Sequence, residues 1–168
     1  MSISTPLSLT EELVLVALDD DTGRLIDLLP FSLETAIAAA LVMDLTLAGR
    51  IDTDPEHLFV LSPTPTGHAI LDEVLARIAA EPEPLSSAEW LRRFAIPGPG
   101  LRDRILDQLV QRGVLQSVEK RFLWVFKTRV YPPTSGLEER EVKSRVMTLL
   151  NTDDIPDARD AMLVALDR

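Results

Sequence analysis

Basic residues are concentrated in one quarter of the chain, between Leu91 and Tyr131, which contains nine basic and three acidic residues. The bases are Arg92, Arg93, Arg102, Arg104, Arg112, Lys120, Arg121, Lys127 and Arg129. Arg102 and Arg104 fall in the first turn of a predicted helix that follows Gly100, where free backbone amides attract phosphates and other anions. We therefore predict an anion-binding surface with Arg102, Arg104, Arg92 and Arg93 as candidate ligands. A solvated basic face is the open alternative.

An unusual apolar run lies in the same segment. The residues Phe122, Leu123, Trp124, Val125 and Phe126 are all bulky and apolar, and Arg121 and Lys127 flank them. A strand that is apolar on both faces is normally a core strand. A hairpin that presents such a run beyond the core would instead contact a membrane or a second copy of the chain. Both interpretations stay open, and the second predicts that the hairpin, Arg102 and Arg104 share one face.

The residues needed for metal or covalent chemistry are scarce. The chain has no cysteine, and its two histidines, His57 and His68, lack the spacing of a zinc site. No glycine-rich phosphate loop is present, and the Asp19–Asp21 run lacks the ligand spacing of a calcium loop. We predict no metal, no cofactor and no enzymatic activity, with both histidines in structural or surface roles.

The whole chain is acidic, with 17 basic and 27 acidic residues and a net charge of -10 over 168 residues. This average discourages nucleic acid as a partner. Outside the basic segment the balance is eight bases against 24 acids, so the charge is strongly polarised along the sequence. The acidic part would orient the basic segment towards a negatively charged surface.

The elements that position these residues are mostly helical, and we predict one mainly α domain, a bundle around a buried central helix. Apolar periodicity, caps and glycine stops predict the helix bounds. The helices run from a Ser8 or Thr10 cap through Leu18, over Leu33–Ala48, from Gly67 to Pro82, and from a Ser86 or Ser87 cap through about Phe94. Three more run over Leu101–Arg112, Leu137–Leu150 and Asp157–Leu166. A small β-hairpin is predicted near 50–62 and a second, hydrophobic one near 114–131, with its arms on either side of Val118–Lys120.

Neither an exported nor a membrane-spanning protein is indicated. The apolar run Leu13–Leu18 follows Glu11 and Glu12 instead of a basic leader, and the longest apolar run, Ala36–Met43, ends at Asp44. That run is far shorter than the roughly 20 residues of a membrane span. We expect a cytoplasmic protein whose membrane contact is peripheral, at the inner face.

Five blocks of the sequence resemble the bacterial branch of the Golgi phosphoprotein 3 family. They are LTEELVLVALDDDTGRL, MDLTLAGRID, SPTPTGHAILDEVLARIAA, LRDRILDQLVQRGVLQ and RFLWVFKTRVYP, in family order between Leu9 and about Leu166. The resemblance implies a non-enzymatic peripheral membrane adaptor that binds anionic lipid headgroups and a protein cargo. Eukaryotic members recognise phosphatidylinositol 4-phosphate and help to retain glycosyltransferases. It also implies a protruding hydrophobic hairpin that contacts membrane and mediates self-association.

The headgroup-binding residues of the family are only partly present in this sequence. Leu29, Ala38 and Pro99 stand at three family headgroup positions, and Arg102 matches the fourth. The resemblance therefore implies an anionic membrane surface more than that particular phosphoinositide. The family also continues for several dozen residues beyond the position of Arg168, so we expect Met162, Leu163 and Leu166 to lack their usual cover and to favour dimerisation.

Two other functions fit the same residues. A helix, a turn, a helix and a two-stranded wing over Ser87–Val130 would also describe a winged-helix DNA-binding regulator. The hairpin could alternatively be the seam of an oligomeric protein-interaction scaffold. Vesicle binding, DNA binding and light scattering separate these hypotheses.

Overall fold

The structure, a computed structural model, describes residues 6–19, 21–26, 32–95, 100–122, 126–151, 157 and 159–162. The helices are α1 (Leu9–Val16), α2 (Ser32–Leu47), α3 (Ala69–Ala79), α4 (Ser87–Ala95), α5 (Leu101–Gln111) and α6 (Leu137–Asn151), and residues 159–162 are also helical. The strands β1 (Ile51–Thr53) and β2 (Leu58–Val60) form one antiparallel pair, and β3 (Val118–Phe122) and β4 (Phe126–Val130) form another. The predicted mainly helical fold with two small hairpins is confirmed.

Helix α1 begins with a reciprocal cap. The Ser8 Oγ accepts a hydrogen bond from the Glu11 amide at 3.1 Å, and the Glu11 carboxylate accepts one from the Ser8 amide at 2.8 Å. This arrangement satisfies two amides that the helix itself leaves without partners. Ser8, and not Thr10, is therefore the cap, and the helix ends at Val16, two residues earlier than predicted.

A second acid completes the start of α1 from another helix. Asp44 of α2 is 6% exposed, and its carboxylate accepts hydrogen bonds from the amides of Leu9 and Thr10 at 2.8 and 2.9 Å. The Thr10 hydroxyl donates to the same carboxylate at 2.7 Å. The acid that interrupts the longest apolar run of the chain thus fixes α1 against α2.

Helix α2 is the central helix, as predicted. Its most deeply buried residues, Ile37, Ala38, Ala40, Leu41 and Leu45, are at most 1% exposed. The helix packs against α1, α3, α4, α5 and β1. An apolar surface on nearly every side is typical of a helix enclosed by others. The helix stops before Gly49, whose φ of 64° is favourable for glycine and costly for other residues.

The position of the turn between β3 and β4 differs from the prediction. Residues Val118–Lys120 lie within β3, and the chain reverses between Phe122 and Phe126. The register pairs Val118 with Val130 and Glu119 with Arg129. An apolar pair and an oppositely charged pair directly across the ladder are both stabilising, and this register has its turn about five residues later than predicted.

The last helices close over α1. Arg145 of α6 and Arg159 both contact the buried carboxylate of Glu12, at 2.7 and 3.2 Å. Helix α6 matches its predicted bounds within one residue. Of the three apolar residues expected to lack cover, Met162 is partly buried against the core, and Leu163 and Leu166 lie outside the described residues.

Candidate functional site

The apolar run lies at the closed end of the β3–β4 hairpin. Phe122 pairs with Phe126 as the last rung of the ladder, and the other three residues of the run, Leu123, Trp124 and Val125, lie outside the described residues. Two residues that pair with each other belong to opposite strands of the hairpin. The run therefore does not form one core strand.

The next rungs of the hairpin are rich in basic residues. Arg121 pairs with Lys127, Lys120 with Thr128, and Glu119 with Arg129. Two basic residues directly opposite one another repel and weaken a ladder, whereas the Glu119–Arg129 pair is complementary. The register thus places a like-charged rung directly before the apolar end.

The base of the hairpin is anchored in the helical body. Val130 and Tyr131 are 1% and 8% exposed, whereas Arg129 is exposed. The Tyr131 amide donates to the Gly23 carbonyl at 2.7 Å, and the Gln116 amide donates to the Pro132 carbonyl at 2.8 Å. Along β4 the buried part of the chain therefore begins at Val130, and backbone hydrogen bonds of Tyr131 and Pro132 attach this end of the hairpin to the body.

The two arginines at the start of α5 each contact an acid of another helix. Arg102 Nη1 lies 2.9 Å from Glu34 Oε1 on α2, and Arg104 Nη2 lies 2.6 Å from Glu73 Oε2 on α3. The hydrogen bond from Arg104 is the largest cause that lowers the pKa of Glu73. Two arginines at the positive end of a helix are unfavourable by themselves, and acids of the neighbouring helices offset this cost.

The two arginines of α4 are also paired. Arg92 contacts Glu89 one turn earlier, and Arg93 Nη1 lies 2.6 Å from Glu81 Oε2. The Arg93 guanidinium also lies over the ring of Trp90, 5.3 Å from its centre. All four predicted anion ligands therefore have carboxylate partners within the chain.

The structure links the base of the hairpin to the side of α5 that carries Arg104, through Asp107. Asp107, one turn after Arg104 on α5, lies 3.9 Å from Arg129 at the base of the hairpin. Arg104 and Asp107 border the same cleft, whereas Arg102 contacts Glu34 on α2. The structure thus separates the two arginines that the sequence places in one turn.

That cleft is a feature that sequence reasoning missed. It has a volume of about 600 Å³ between the start of α3 and one side of α5, and its lining includes Gly67, His68, Arg104, Asp107, Gln108 and Arg112. His68 caps α3, because its Nδ1 accepts from the Leu71 amide at 3.4 Å, which agrees with the structural role predicted for it. The other ring nitrogen lies 2.8 Å from Gln108 Nε2.

Glu11 connects this cleft to α1. Its side chain is 1% exposed and contacts Arg112, Gln108 and His68. Burial is the largest influence on the pKa of Glu11 and raises it, but hydrogen bonds with His68, the Ser8 amide and Arg112 together lower the pKa below its ordinary value. The sequence places Glu11 in the first turn of α1, but its partner Arg112, directly after α5, is 101 residues away.

Neither a metal centre nor a membrane span is found in the described part of the chain. No group of three or more His, Asp or Glu side chains there could hold a metal ion. Among the same residues, no helix combines the length and the apolar character needed to cross a bilayer.

The model of one protein family matches almost the whole chain. The family is Golgi phosphoprotein 3 (GPP34), and the match covers residues 9–167. No curated protein matches the chain. Of the headgroup positions that the resemblance implies, Ala38 is fully buried, and Leu29 and Pro99 lie outside the described residues.

Proposed function

Because this chain belongs to the Golgi phosphoprotein 3 family, a family of non-enzymatic adaptors, we propose that it is a peripheral membrane adaptor. It binds anionic lipid through the β3–β4 hairpin and, to a smaller extent, through the arginines of α4 and α5. One observation carries the proposal. Phe122 and Phe126 pair with each other, so these two residues of the apolar run belong to opposite strands of a hairpin, and this supports a membrane-contacting role for the run.

The composition of the hairpin suits a membrane interface. An apolar end inserts among the acyl chains, while basic residues next to it stay at the level of the headgroups. Each Lys or Arg near an anionic leaflet contributes about 1 kcal/mol. An anionic surface would also offset the repulsion between Arg121 and Lys127, which face each other in the ladder.

The four arginines that the sequence nominates have a secondary role in this proposal. Arg92, Arg93, Arg102 and Arg104 already pair with carboxylates. An anionic headgroup must replace a carboxylate partner before it gains a full ion pair. We therefore expect each of these arginines to contribute less to membrane affinity than a basic residue without a carboxylate partner would.

The lipid specificity that we propose is for negative surface charge and not for one headgroup. A stereospecific site needs several fixed donors around one phosphate. Ala38 offers no such donor, and Arg102 is engaged by Glu34. Vesicles that carry phosphatidylinositol 4-phosphate should therefore bind no better than phosphatidylserine vesicles of equal surface charge.

Vesicle flotation tests the proposal. We expect the protein to float with phosphatidylcholine vesicles that contain phosphatidylserine or phosphatidylglycerol, to stay in solution with phosphatidylcholine alone, and to lose binding as salt rises. The double variant Phe122→Ala plus Trp124→Asp should abolish flotation, since it removes two aromatic groups from the apolar end and adds a charge.

A matched control comes from the other hairpin. Phe59 and Leu61 are 38% and 57% exposed, so Phe59→Ala plus Leu61→Asp makes the same kind of change on a surface away from β3–β4. This control should float like the unaltered protein. Equal binding of both double variants, or no binding of the unaltered protein to anionic vesicles at low salt, contradicts the proposed function.

DNA binding and light scattering test the two alternative functions, the winged-helix regulator and the oligomeric scaffold. A winged-helix regulator would use α5 for recognition, but Asp103 and Asp107 lie on that helix, and its two leading arginines are paired with acids. A salt-dependent gel shift with duplex DNA, without vesicle binding, would favour the regulator. An oligomeric scaffold predicts that the hairpin double variant changes the mass measured by light scattering without any effect of vesicles.

A further inference from the structure

We infer that Gly23 is a positioning residue that sets the direction in which the β3–β4 hairpin leaves the body. The inference rests on the proposed function for its biological meaning, because a membrane hairpin works only if its apolar end points away from the acidic body. Its structural part can be tested without a membrane.

Gly23 belongs to a tight turn that follows α1. The Gly23 amide donates to the Asp19 carbonyl at 2.9 Å, the Asp19 amide donates to the Arg24 carbonyl at 2.8 Å, and Leu18 bridges to Leu25. Gly23 itself has a φ of 65°, in the left-handed region that favours glycine. The turn therefore forms a platform that its own backbone hydrogen bonds close.

This platform lies directly against the exit of the hairpin. A Cβ atom added to Gly23 would lie 3.0 Å from the Pro132 nitrogen, and 3.2 and 3.3 Å from the Tyr131 carbonyl carbon and nitrogen. All three neighbours are backbone atoms, which cannot rotate away as a side chain does. The Gly23 carbonyl also accepts the hydrogen bond of the Tyr131 amide. The Tyr131–Pro132 backbone is therefore both closest to Gly23 and hydrogen-bonded to it.

Other glycines with a left-handed φ lack such a neighbour. At Gly49, with a φ of 64°, an added Cβ would meet nothing within 4 Å, and the same holds for Gly67 and Gly113. At Gly136 it would meet the end of the flexible Arg140 side chain. Turn geometry alone therefore explains Gly49, whereas Gly23 also needs room for the Tyr131–Pro132 peptide.

The exit of the hairpin has little freedom to absorb a displacement. Pro132 has a fixed φ, and a residue before proline, here Tyr131, is restricted to extended backbone. The Pro132 carbonyl is held from the other side by the Gln116 amide. From Val130 to Phe126 the strand extends for about 13 Å at about 3.3 Å per residue, so a tilt at Tyr131 moves the apolar end further than the base.

The test compares Gly23→Asn with Gly49→Asn. Asparagine tolerates the left-handed region better than other residues with a Cβ, so the pair shares its backbone cost and differs in the contact with Tyr131 and Pro132. We expect Gly23→Asn to weaken binding to phosphatidylserine-containing vesicles by about fivefold, or about 1 kcal/mol. We expect Gly49→Asn to leave it unchanged.

A distance measurement reports on the hairpin direction by itself. Since the natural chain has no cysteine, spin labels can be attached to Thr128→Cys on β4 and Glu141→Cys on α6. Gly23→Asn should shift or broaden the distribution of distances between the labels, and Gly49→Asn should not. The second variant, Pro132→Ala, frees the backbone at the base of the hairpin without adding a Cβ at position 23. It should also broaden the distribution of distances.

The outcomes separate the inference from the proposed function. An unchanged distribution in both Gly23→Asn and Pro132→Ala overturns the positioning role, whatever the vesicles show. A distance distribution that Gly23→Asn changes supports the positioning role of Gly23. If the unaltered protein then fails to bind anionic vesicles, the proposed function alone is wrong. Equal loss of vesicle binding in Gly23→Asn and Gly49→Asn, with unchanged distances, would reduce Gly23 to an ordinary turn glycine.

Discussion

Two regions of the molecule use charge in opposite ways. At the start of α1, three buried acids, Glu11, Glu12 and Asp44, are matched by donors from α1 itself, α5, α6 and residue 159. In the β3–β4 hairpin, two basic residues face each other across one rung, and an apolar run follows at the closed end. Contacts within the fold explain the buried acids, whereas the proposed membrane partner would explain the composition of the hairpin.

The same difference shows where the positive charge of the basic segment lies in the fold. Of the nine basic residues in the segment Leu91–Tyr131, the five on α4 and α5 or directly after α5 are paired with acids of the body, and Arg129 at the base of the hairpin lies 3.9 Å from Asp107 of α5. In the strands of the hairpin, Glu119 is the sole acid in the sequence, opposite Arg129. The excess of basic residues is therefore on the hairpin, and four predictions test this division.

The largest effect is expected at Glu11. Glu11→Ala removes the carboxylate that pairs with Arg112 and accepts from the Ser8 amide, and it leaves a partly buried guanidinium without that partner. Breaking such a buried pair from one side costs about 3–5 kcal/mol of unfolding free energy. Urea unfolding measures this cost, with Glu56→Ala on the exposed β1–β2 turn as control. A cost no greater than that of the control would mean that the buried acids are not structural.

A slightly smaller effect is expected at Asp44. Asp44→Ala leaves the amides of Leu9 and Thr10 and the Thr10 hydroxyl without their acceptor, which costs about 2–3 kcal/mol in unfolding free energy. Asp44→Asn retains one oxygen and should fall between the alanine variant and the natural protein. If the asparagine variant is as unstable as the alanine variant, negative charge, and not the number of acceptors, is what α1 needs.

Acid should weaken the body through the same cluster. The pKa of Glu11 in the folded chain is below its ordinary value of 4.5. The stability that its ionisation supplies is therefore complete above pH 4.5 and is lost as the pH falls from there through the lower folded pKa. Urea midpoints measured across this acid range should fall more steeply for the natural protein than for Glu11→Gln. Parallel curves would show that other carboxylates govern the acid response.

Local sequence signals predicted most of the elements because their causes are local. The Ser8 cap, the glycine stop of α2 and the apolar surface of α2 depend on neighbouring residues and hold in the structure. The same reasoning misplaced the turn of the second hairpin, since β-prone residues on both sides of Lys120 do not reveal which rung pairs with which. Register depends on cross-strand partners such as Glu119 and Arg129, which a single strand does not show.

The candidate site was less predictable because its partners are distant in sequence. Arg102 and Glu34 are 68 residues apart, and Arg104 and Glu73 are 31 apart. A single sequence gives the charges, but it does not show that α5 packs against α2 or that Arg104 reaches Glu73 on α3. The predicted roles of the four arginines in headgroup binding therefore stay predictions, whereas their ion pairs within the body come from the structure.

The smallest effect on folding is expected at the end of the hairpin, and it is the most informative one. Phe122→Ala plus Trp124→Asp should change the unfolding free energy by no more than about 0.5 kcal/mol, as surface substitutions do. Leu106→Ala on α5, at a residue that is 1% exposed, should cost about 2–5 kcal/mol for the loss of a similar apolar group from the core. If the hairpin variant costs as much as Leu106→Ala in urea, the apolar run is part of a core or of a contact between copies. If it keeps its stability and loses vesicle binding, the five apolar residues contribute to an external partner what the buried acids contribute to the fold.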